Sequence, residues 1–241
     1  MTATSTAPTS QADDTTERDG SGPPNLIMYY TVHQAMRDSS AVLHDALAGM
    51  ADDDRRRAAA IARWYRGFAD ELHAHHHIED EIFFPALAAR DASFEHFGPG
   101  LDADHVHLAQ VIDDLTRAIG GLAEDEPWAP TRAQAVELSA ELRDHLMTHL
   151  AIEDEDVIPL FAERFTFDEY VVLEQQAVKQ GSLKSMLFTV PWLVVSCEAK
   201  TRDEIFESVP AALKLLWKVT RRGYARRTSY ALGIDVPVVR A

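Results

Sequence analysis

The sequence predicts an all-α protein, an antiparallel four-helix bundle with a C-terminal helical extension. Three observations predict it. Glycine and proline are scarce, 11 of each in 241 residues, while runs rich in the helix formers Ala, Leu, Glu and Arg fill the middle of the chain. Four long stretches repeat apolar residues every three or four positions, the signature of a helix with one buried face. The breaks between these stretches are short, and short connections between amphipathic helices make an antiparallel bundle the economical arrangement.

The first stretch runs through Leu26, Tyr30, His33, Met36, Ser40, Leu43 and Leu47, and the second through Ile61, Trp64, Phe68, Leu72, His75, Glu79 and Ile82. The third follows the break FGPG and runs through Leu101, His105, Leu108, Ile112, Leu115 and Ile119. A capping box, Thr131 with Gln134, predicts the start of the fourth, which continues through Leu138, Leu142, His145, His149, Ile152, Glu153 and Leu160. ADDD, FGPG and GGLAEDEPWAP separate them, all polar or bearing Gly and Pro. Residues 1–24, rich in Ser, Thr, Asp, Gly and Pro, read as a disordered tail, and residues 25–164 hold the bundle.

Residues 165–241 read as a helical appendage with too few residues for a core of its own. Capping boxes at Thr166 with Glu169 and Thr201 with Glu204 predict two helix starts, an apolar segment interrupted by Pro191 lies between them, and Pro210 begins the last helix. That last helix carries Lys214, Lys218, Arg221, Arg222, Arg226 and Arg227, with no acid between Ser208 and Ile234. Such a face suits docking on the acidic bundle of this same chain, or an anionic membrane surface.

Composition narrows the function classes. A net charge of −16 argues against a nucleic-acid partner, whose phosphates would be repelled by most of the surface. The one cysteine, Cys197, can form no internal disulfide, which suits a reducing cytosol. The first residues lack the basic and apolar regions of a secretion signal, and no apolar run reaches the roughly 18 residues that span a membrane. A cytoplasmic location is the expectation.

One motif is repeated. His75 and Glu79 are four residues apart, as are His149 and Glu153, and a proline, Pro85 or Pro159, lies ten residues after each histidine. Each pair is preceded by one histidine in an apolar stripe, His33 before the first and His105 before the second. The copies are offset by 72 to 74 residues. A single His-x-x-x-Glu on a helix is commonly a surface pair, but here all four histidines and both glutamates fall on the stripes that face the core. Burying unpaired carboxylates and imidazoles costs several kcal/mol each, so something must pair with them. Two metal ions, about 3.5–4 Å apart in the bundle core, would do so. A polar network satisfied without metal is the alternative. Four imidazoles with two bridging carboxylates form a mixed N/O set that suits iron ahead of manganese and zinc.

These residues, with the tails IEDEIFFP and IEDEDVIP, resemble the hemerythrin-like HHE cation-binding domain over residues 26–160. The resemblance implies a four-helix bundle holding a non-heme diiron centre, two iron ions with an oxo or hydroxo bridge, on the ligands His33, His75, Glu79, His105, His149 and Glu153. In respiratory hemerythrins the third helix supplies a second histidine four residues on, where this chain has Ala109. With two histidines per iron, both ions could keep an exchangeable position, which favours activation of O2 or peroxide over reversible carriage. Ferritin-type Glu-x-x-His, HExxH and glycine-rich phosphate motifs are absent.

The remaining candidates are less determined. His145, four before His149, is a candidate seventh ligand or a partner of one. His73, His76 and His77 should point away from the face of His75, at about 100° of turn per residue. His107 should be exposed, His44 packs near the core and His96 lies in a loop. Tyr30 and Tyr65 could set a phenol beside the centre or simply pack the core. Asp80, Glu81, Asp154, Glu155 and Asp156 form an acidic rim in which one side chain could orient a ligand imidazole. Pro85 and Pro159 either kink their helices around the centre or end them. The expected function is binding of, or reaction with, O2, H2O2 or NO, with a possible peroxidase, catalase-like or NO-handling activity. The alternative is an iron- or redox-sensing module signalling through the appendage, its protein partner or reductant unassigned.

Overall fold

The computed structural model describes residues 20–124 and 126–239, all helix, turn or irregular chain without a strand among them. Four long helices make the bundle: α1 (Ile27–Ala48), α2 (Arg55–Ile78), α4 (Gly98–Ala123) and α5 (Trp128–Ile152). A short helix α3 (Phe84–Ala88) continues α2, and α6 (Ile158–Arg164) continues α5. Helices α7 (Phe167–Gln180), α8 (Leu183–Ser196), α9 (Ala199–Ser208) and α10 (Ala211–Leu232) follow. No helix among the described residues is long and apolar enough to cross a membrane.

Neither proline ends its helix. Residues Glu79–Phe83 and Glu153–Val157 each form one π-helical turn, in which the N–H of Phe84 reaches Glu79 O and that of Ile158 reaches Glu153 O. The cause is local. Pro85 and Pro159 have no N–H to give, and their rings would crowd the carbonyl four residues back. Widening the turn by one residue relieves that crowding and lets the helix resume as α3 and α6. Both wide turns begin at the glutamate of the repeated motif.

Helix starts differ in part from expectation. Thr166 and Glu169 form the capping box that opens α7, with Thr166 N–H donating to Glu169 Oε2 at 2.9 Å. Its first two N–H groups go to the main chain of the expected tail, Phe167 to Gly22 O at 2.6 Å and Asp168 to Gly20 O at 3.1 Å. The rest of that tail, residues 1–19, lies outside the described residues. Helix α5 starts at Trp128, earlier than Thr131, because Pro127 and Pro130 suit the first turn, where N–H groups have no partner to lose. Thr131 instead donates back to Pro127 O at 2.8 Å. Helix α9 likewise starts at Ala199, ahead of Thr201.

In the bundle α1 packs on α5, α5 on α4 and α4 on α2, whereas α1 and α2 meet over little of their length. Helix α8 takes that seam. Trp192 is buried between Ser39 of α1, to whose Oγ its indole donates at 2.8 Å, and Phe68 of α2, 6.1 Å away ring to ring. Phe188 stacks on Trp192 and lies so close to α2 that a Cβ at Gly67 would sit 2.4 Å from its ring. Trp192, Tyr224, Ala231 and Leu232 share one core cluster with Leu43, Phe68 and Leu115. Helix α10 therefore docks on the bundle, but through Trp217, Tyr224, Ala225, Thr228, Ala231 and Leu232. Charge does not hold it there. Among the described residues these cations make no ion pair: Lys214, Lys218, Arg222, Arg226 and Arg227 are exposed, and the half-buried Arg221 donates to Val239 O at 2.9 Å. A second cluster, with Tyr29, Phe83, Phe161 and Tyr170, seats α7 against the π turns at the end of the bundle.

A second polar link joins α8 to the bundle. Thr189 Oγ1 of α8 donates to Glu71 Oε1 of α2 at 2.5 Å. Burial pushes the Glu71 carboxyl up from 4.5 to about 7, against the pull of that hydrogen bond. A carboxyl whose folded pKa is raised takes up its proton on folding, so stability falls as pH rises from 4.5 to about 7, and the full penalty persists above. Glu71→Gln keeps an acceptor for Thr189 and removes the charge. Urea unfolding should show it more stable than the parent by about 1–3 kcal/mol above pH 7, with the gain vanishing below pH 4.5.

Candidate metal centre

Antiparallel packing brings the beginnings of α1 and α4 beside the ends of α2 and α5. His33 comes from the second turn of α1 and His105 from the third turn of α4, while His75 and His149 sit in the last turns of α2 and α5. Glu79 and Glu153 open the two π turns. All six expected residues meet in one place. His33, His149 and Glu153 are fully buried, Glu79 and His105 nearly so, and His75 is 11% exposed.

Each glutamate faces both repeats. Glu79 Oε1 lies 3.2 Å from His75 Nε2 and 3.9 Å from His33 Nε2, while its Oε2 lies 3.7 Å from His105 Nε2. Glu153 Oε2 lies 3.5 Å from His33 Nε2, and its Oε1 lies 3.4 Å from His149 Nε2 and 3.8 Å from His105 Nε2. One oxygen of each carboxylate thus belongs to the His33–His75 pair and the other to the His105–His149 pair. Donor atoms held at about 2.0–2.2 Å from one ion lie roughly 3 Å apart on adjacent positions, so small closures convert this arrangement into two coordination shells with two bridges. Within each group, His33, His75, Glu79 and Glu153 or Glu79, His105, His149 and Glu153, the donor atoms lie within 4.8 Å of one another.

The far sides of the imidazoles are held in crossed fashion. Asp154, directly after Glu153, takes His33 Nδ1 at 2.7 Å, and Asp80, directly after Glu79, takes His105 Nδ1 at 2.7 Å. The acidic rim therefore does orient ligand imidazoles, each repeat supplying the aspartate for the other repeat's histidine. An Nδ1–carboxylate contact fixes the tautomer and aims Nε2 at the glutamates. Arg37 fixes Asp154 from outside at 2.5 Å, and Asp104 lies 3.6 Å from His149 Nδ1. Tyr29 donates its phenol to Glu79 Oε1 at 2.5 Å.

Metal fits this donor set on an observation of the protein itself. His33 Nε2, His75 Nε2, Glu79 Oε2 and both oxygens of Glu153 are buried without a hydrogen-bond partner among the described residues. Carboxylate oxygens can only accept, and buried acceptors left unpaired are costly. A cation pairs with all of them at once. The electrostatics carry the same strain. Burial, then the Glu153 charge, pushes the Glu79 carboxyl up. Burial pulls His33 and His105 down, but the carboxylates around each outweigh it and raise both to about 9. Burial and the neighbouring imidazoles hold His75 well below its ordinary value, and burial brings His149 down to about 4.

The other candidates fall outside the two groups, with two exceptions that sequence reasoning missed. His145 stands at the rim, its Nε2 3.2 Å from Asp104 Oδ1. His73 and His107 are exposed beside Asp113 and Glu141, and His44 pairs with Ser139 at 3.0 Å. Tyr65 packs the core and donates to Ile112 O at 3.1 Å. The phenol at the centre is Tyr29, not Tyr30, which is 41% exposed. His76, expected to point away, is 4% exposed and lies against His105, ring to ring 4.4 Å. Spacing allowed both without selecting them. The stripes Tyr29–His33–Met36–Ser40 and Leu72–His76–Glu79 are as regular as the ones chosen, and near its end α2 is covered on two sides, so it buries 75 and 76 alike.

Comparison with known proteins agrees with this geometry. The family model described as Hemerythrin HHE cation binding domain matches residues 28–161. The chain is also similar to Zinc finger protein BRUTUS of Arabidopsis thaliana, 24% identical over 204 residues, which cover 80% of this chain and 15% of that protein. No solved structure matches. With more than half of its length matched, and its repeated histidines and glutamates gathered in one buried cluster, the chain belongs to the hemerythrin HHE cation-binding domain family.

Proposed function

We propose that the protein is a non-heme diiron protein that binds or reacts with O2, H2O2 or NO, in peroxide or nitric-oxide stress response or in sensing them. The observation that carries this reading is the split of each glutamate between the two histidine pairs, one oxygen to each. Iron suits the mixed imidazole and carboxylate donors ahead of manganese and zinc. When bound, two iron ions would supply open coordination positions and electrons for a small oxidant.

The chain's own groups shape what can reach them. Burial of the cluster, with His75 its most exposed member, suits a diatomic or a peroxide ahead of a larger organic substrate. The surface clefts along α9 and α10 and beside Trp128 and Arg132 do not adjoin it. Asp80 and Asp154 hold His105 and His33 in one tautomer, and Tyr29 can give a proton to Glu79 Oε1 or share one with it. The cytoplasm, with its reductants, is the compartment this reading assumes, and its partner is a small ligand instead of a nucleic acid or membrane.

A second reading is favoured by one contact. Tyr170 of α7 stacks on Phe83 of the first π turn at 5.8 Å and lies 5.8 Å from Phe161. A change in metal or redox state that moves Glu79 would reach α7 directly, making the protein an iron or redox sensor without turnover. Residues 165–241 should then gain or lose protease protection between the reduced, oxidised and metal-stripped protein, and identical digestion patterns would remove this reading.

Protein expressed with ample iron should carry about two iron ions per chain and absorb visibly when oxidised. His75→Ala and Glu153→Ala should lose that absorption and most of the iron. Iron-free wild-type protein would overturn the proposal. Stopped-flow mixing of the reduced, iron-loaded protein with O2, H2O2 and NO separately should give a spectral change with at least one of them. A centre inert to all three would leave metal binding without the proposed reaction.

A further inference from the structure

Away from the metal centre, a second group of buried polar atoms has the opposite character. The bundle cluster holds acceptors without donors, whereas on α10 two donors lack acceptors. The indole N–H of Trp217 and the Nε–H of Arg221 are buried without a hydrogen-bond partner among the described residues. Arg221 spends another N–H on Val239 O at 2.9 Å. The two residues are four apart, so both stand on one face of the helix. Buried donors left unpaired are costly, and an acceptor brought to that face would relieve both.

Both side chains line a cleft of about 560 Å³ between α9 and α10, within the roughly 300–1,000 Å³ of small-molecule pockets. Trp217, only 1% exposed, forms its floor. Phe206 of α9 and the exposed Leu215 of α10 add apolar wall. Lys214 and Lys218 stand exposed at the rim, one turn apart. With Arg221 they set three cations against one acid, Asp203. Helix α9 is free to yield. No residue from Ala199 to Phe206 is buried, and α9 makes no extensive contact with another helix among the described residues. A ligand that parts α9 from α10 therefore disturbs little packing and gains access to both unpaired donors.

We propose that this cleft binds an organic monocarboxylate with an apolar body, of the fatty-acid kind. The carboxylate takes the Trp217 indole N–H on one oxygen and the Arg221 Nε–H on the other. Its apolar body lies along Trp217, Leu215 and Phe206, and Lys214 and Lys218 attract it from solution. Charge-assisted hydrogen bonds to two adjacent donors match the two oxygens of a carboxylate. Apolar walls suit an attached chain better than a bare inorganic anion, whose hydration they could not replace. Nothing in this assignment depends on the metal centre.

Titration of the full chain with decanoate, below the concentration at which it forms micelles, tests this by calorimetry and by NMR of the indole N–H groups. The protein has four tryptophans, and Trp217→Phe identifies the resonance that belongs to Trp217. That resonance should move downfield as one decanoate binds per chain, while that of Trp192, already donating to Ser39, stays in place. Decanol, with the same body and no charge, and Trp217→Phe with decanoate should each bind about 10–100-fold more weakly. Lys214→Ala combined with Lys218→Ala, both at exposed positions, should weaken binding and reduce its sensitivity to salt. Where Trp217→Phe fails to fold, the wild-type contrast between decanoate and decanol decides. Decanol binding as tightly as decanoate, an unmoved Trp217 resonance, or a double-lysine variant with wild-type affinity at low salt would overturn the proposal. Association with phosphatidylglycerol vesicles in place of dissolved decanoate would overturn it too, making this face a membrane surface instead.

Discussion

Glu79 and Glu153 lie side by side where four helices converge, removed from water and facing each other's histidines. Two carboxylates in that position repel each other and lose hydration worth several kcal/mol apiece, and the surrounding arrangement follows from that demand. Each of the four long helices delivers an imidazole to the same point, and with His33 and His105 near helix starts and His75 and His149 near helix ends, neighbouring helices must run in opposite directions. Each imidazole must turn Nε2 inward, and Asp80 and Asp154 accomplish this for His105 and His33 from outside. The carboxylates' pull on those two imidazoles expresses that charge, and cations held by the cluster would compensate it.

The crossed aspartates also make the two halves of the duplication interdependent. The aspartate of each repeat orients the histidine of the other, and each glutamate gives one oxygen to each, so half a bundle has neither a complete ligand set nor fixed tautomers. The π turns are part of the same device. They begin at the glutamates and are forced by prolines six residues on, so the turn that carries a ligand and the adjacent aspartate is set by chemistry outside the cluster. Around this shared frame the repeats differ at most positions, and three of the differences bear on the cluster. Tyr29 stands opposite Leu101, Arg37 opposite Ala109, and His76 opposite Leu150. Each adds a polar group to the first copy where the second has an apolar one, and each touches the cluster or its support. The frame is symmetrical and the chemistry within it is not.

What the sequence disclosed follows from the range of the interactions involved. Helix periodicity is local, and a motif repeated with the same spacing on the same face makes His33, His75, Glu79, His105, His149 and Glu153 legible together. Periodicity fixes a face only to about a third of a turn, however. It could not choose between Tyr29 and Tyr30, or see that α2 buries both His75 and His76, because that depends on which neighbours flank the helix. The π turns were hidden for a related reason. A proline reads equally as a kink or an end until the packing beyond it shows the helix continuing. The basic face of α10 was a true feature and the expected docking on the bundle is seen, but apolar burial holds the helix there, since exposed charge pairs are worth little in water.

The C-terminal helices matter to the centre through the orientation of α2. Helices α1 and α2 do not close on each other, so α2 is held on that side by α8 and α10 instead of by its bundle neighbour. Phe188 lies against the bare backbone at Gly67, and Trp192 is buried against Phe68 while tied to Ser39 on α1. Those contacts fix the rotation of α2 about its own axis. One residue on a helix is about 100° of rotation, which is the angular difference between His75, facing His33 across the seam, and His76, facing His105 on the other side. Holding both at once leaves little tolerance for rotation in either direction. The appendage thus helps, with α4, to keep α2 set so that His75 and His76 face opposite sides of the cluster, although none of its described residues enters that cluster.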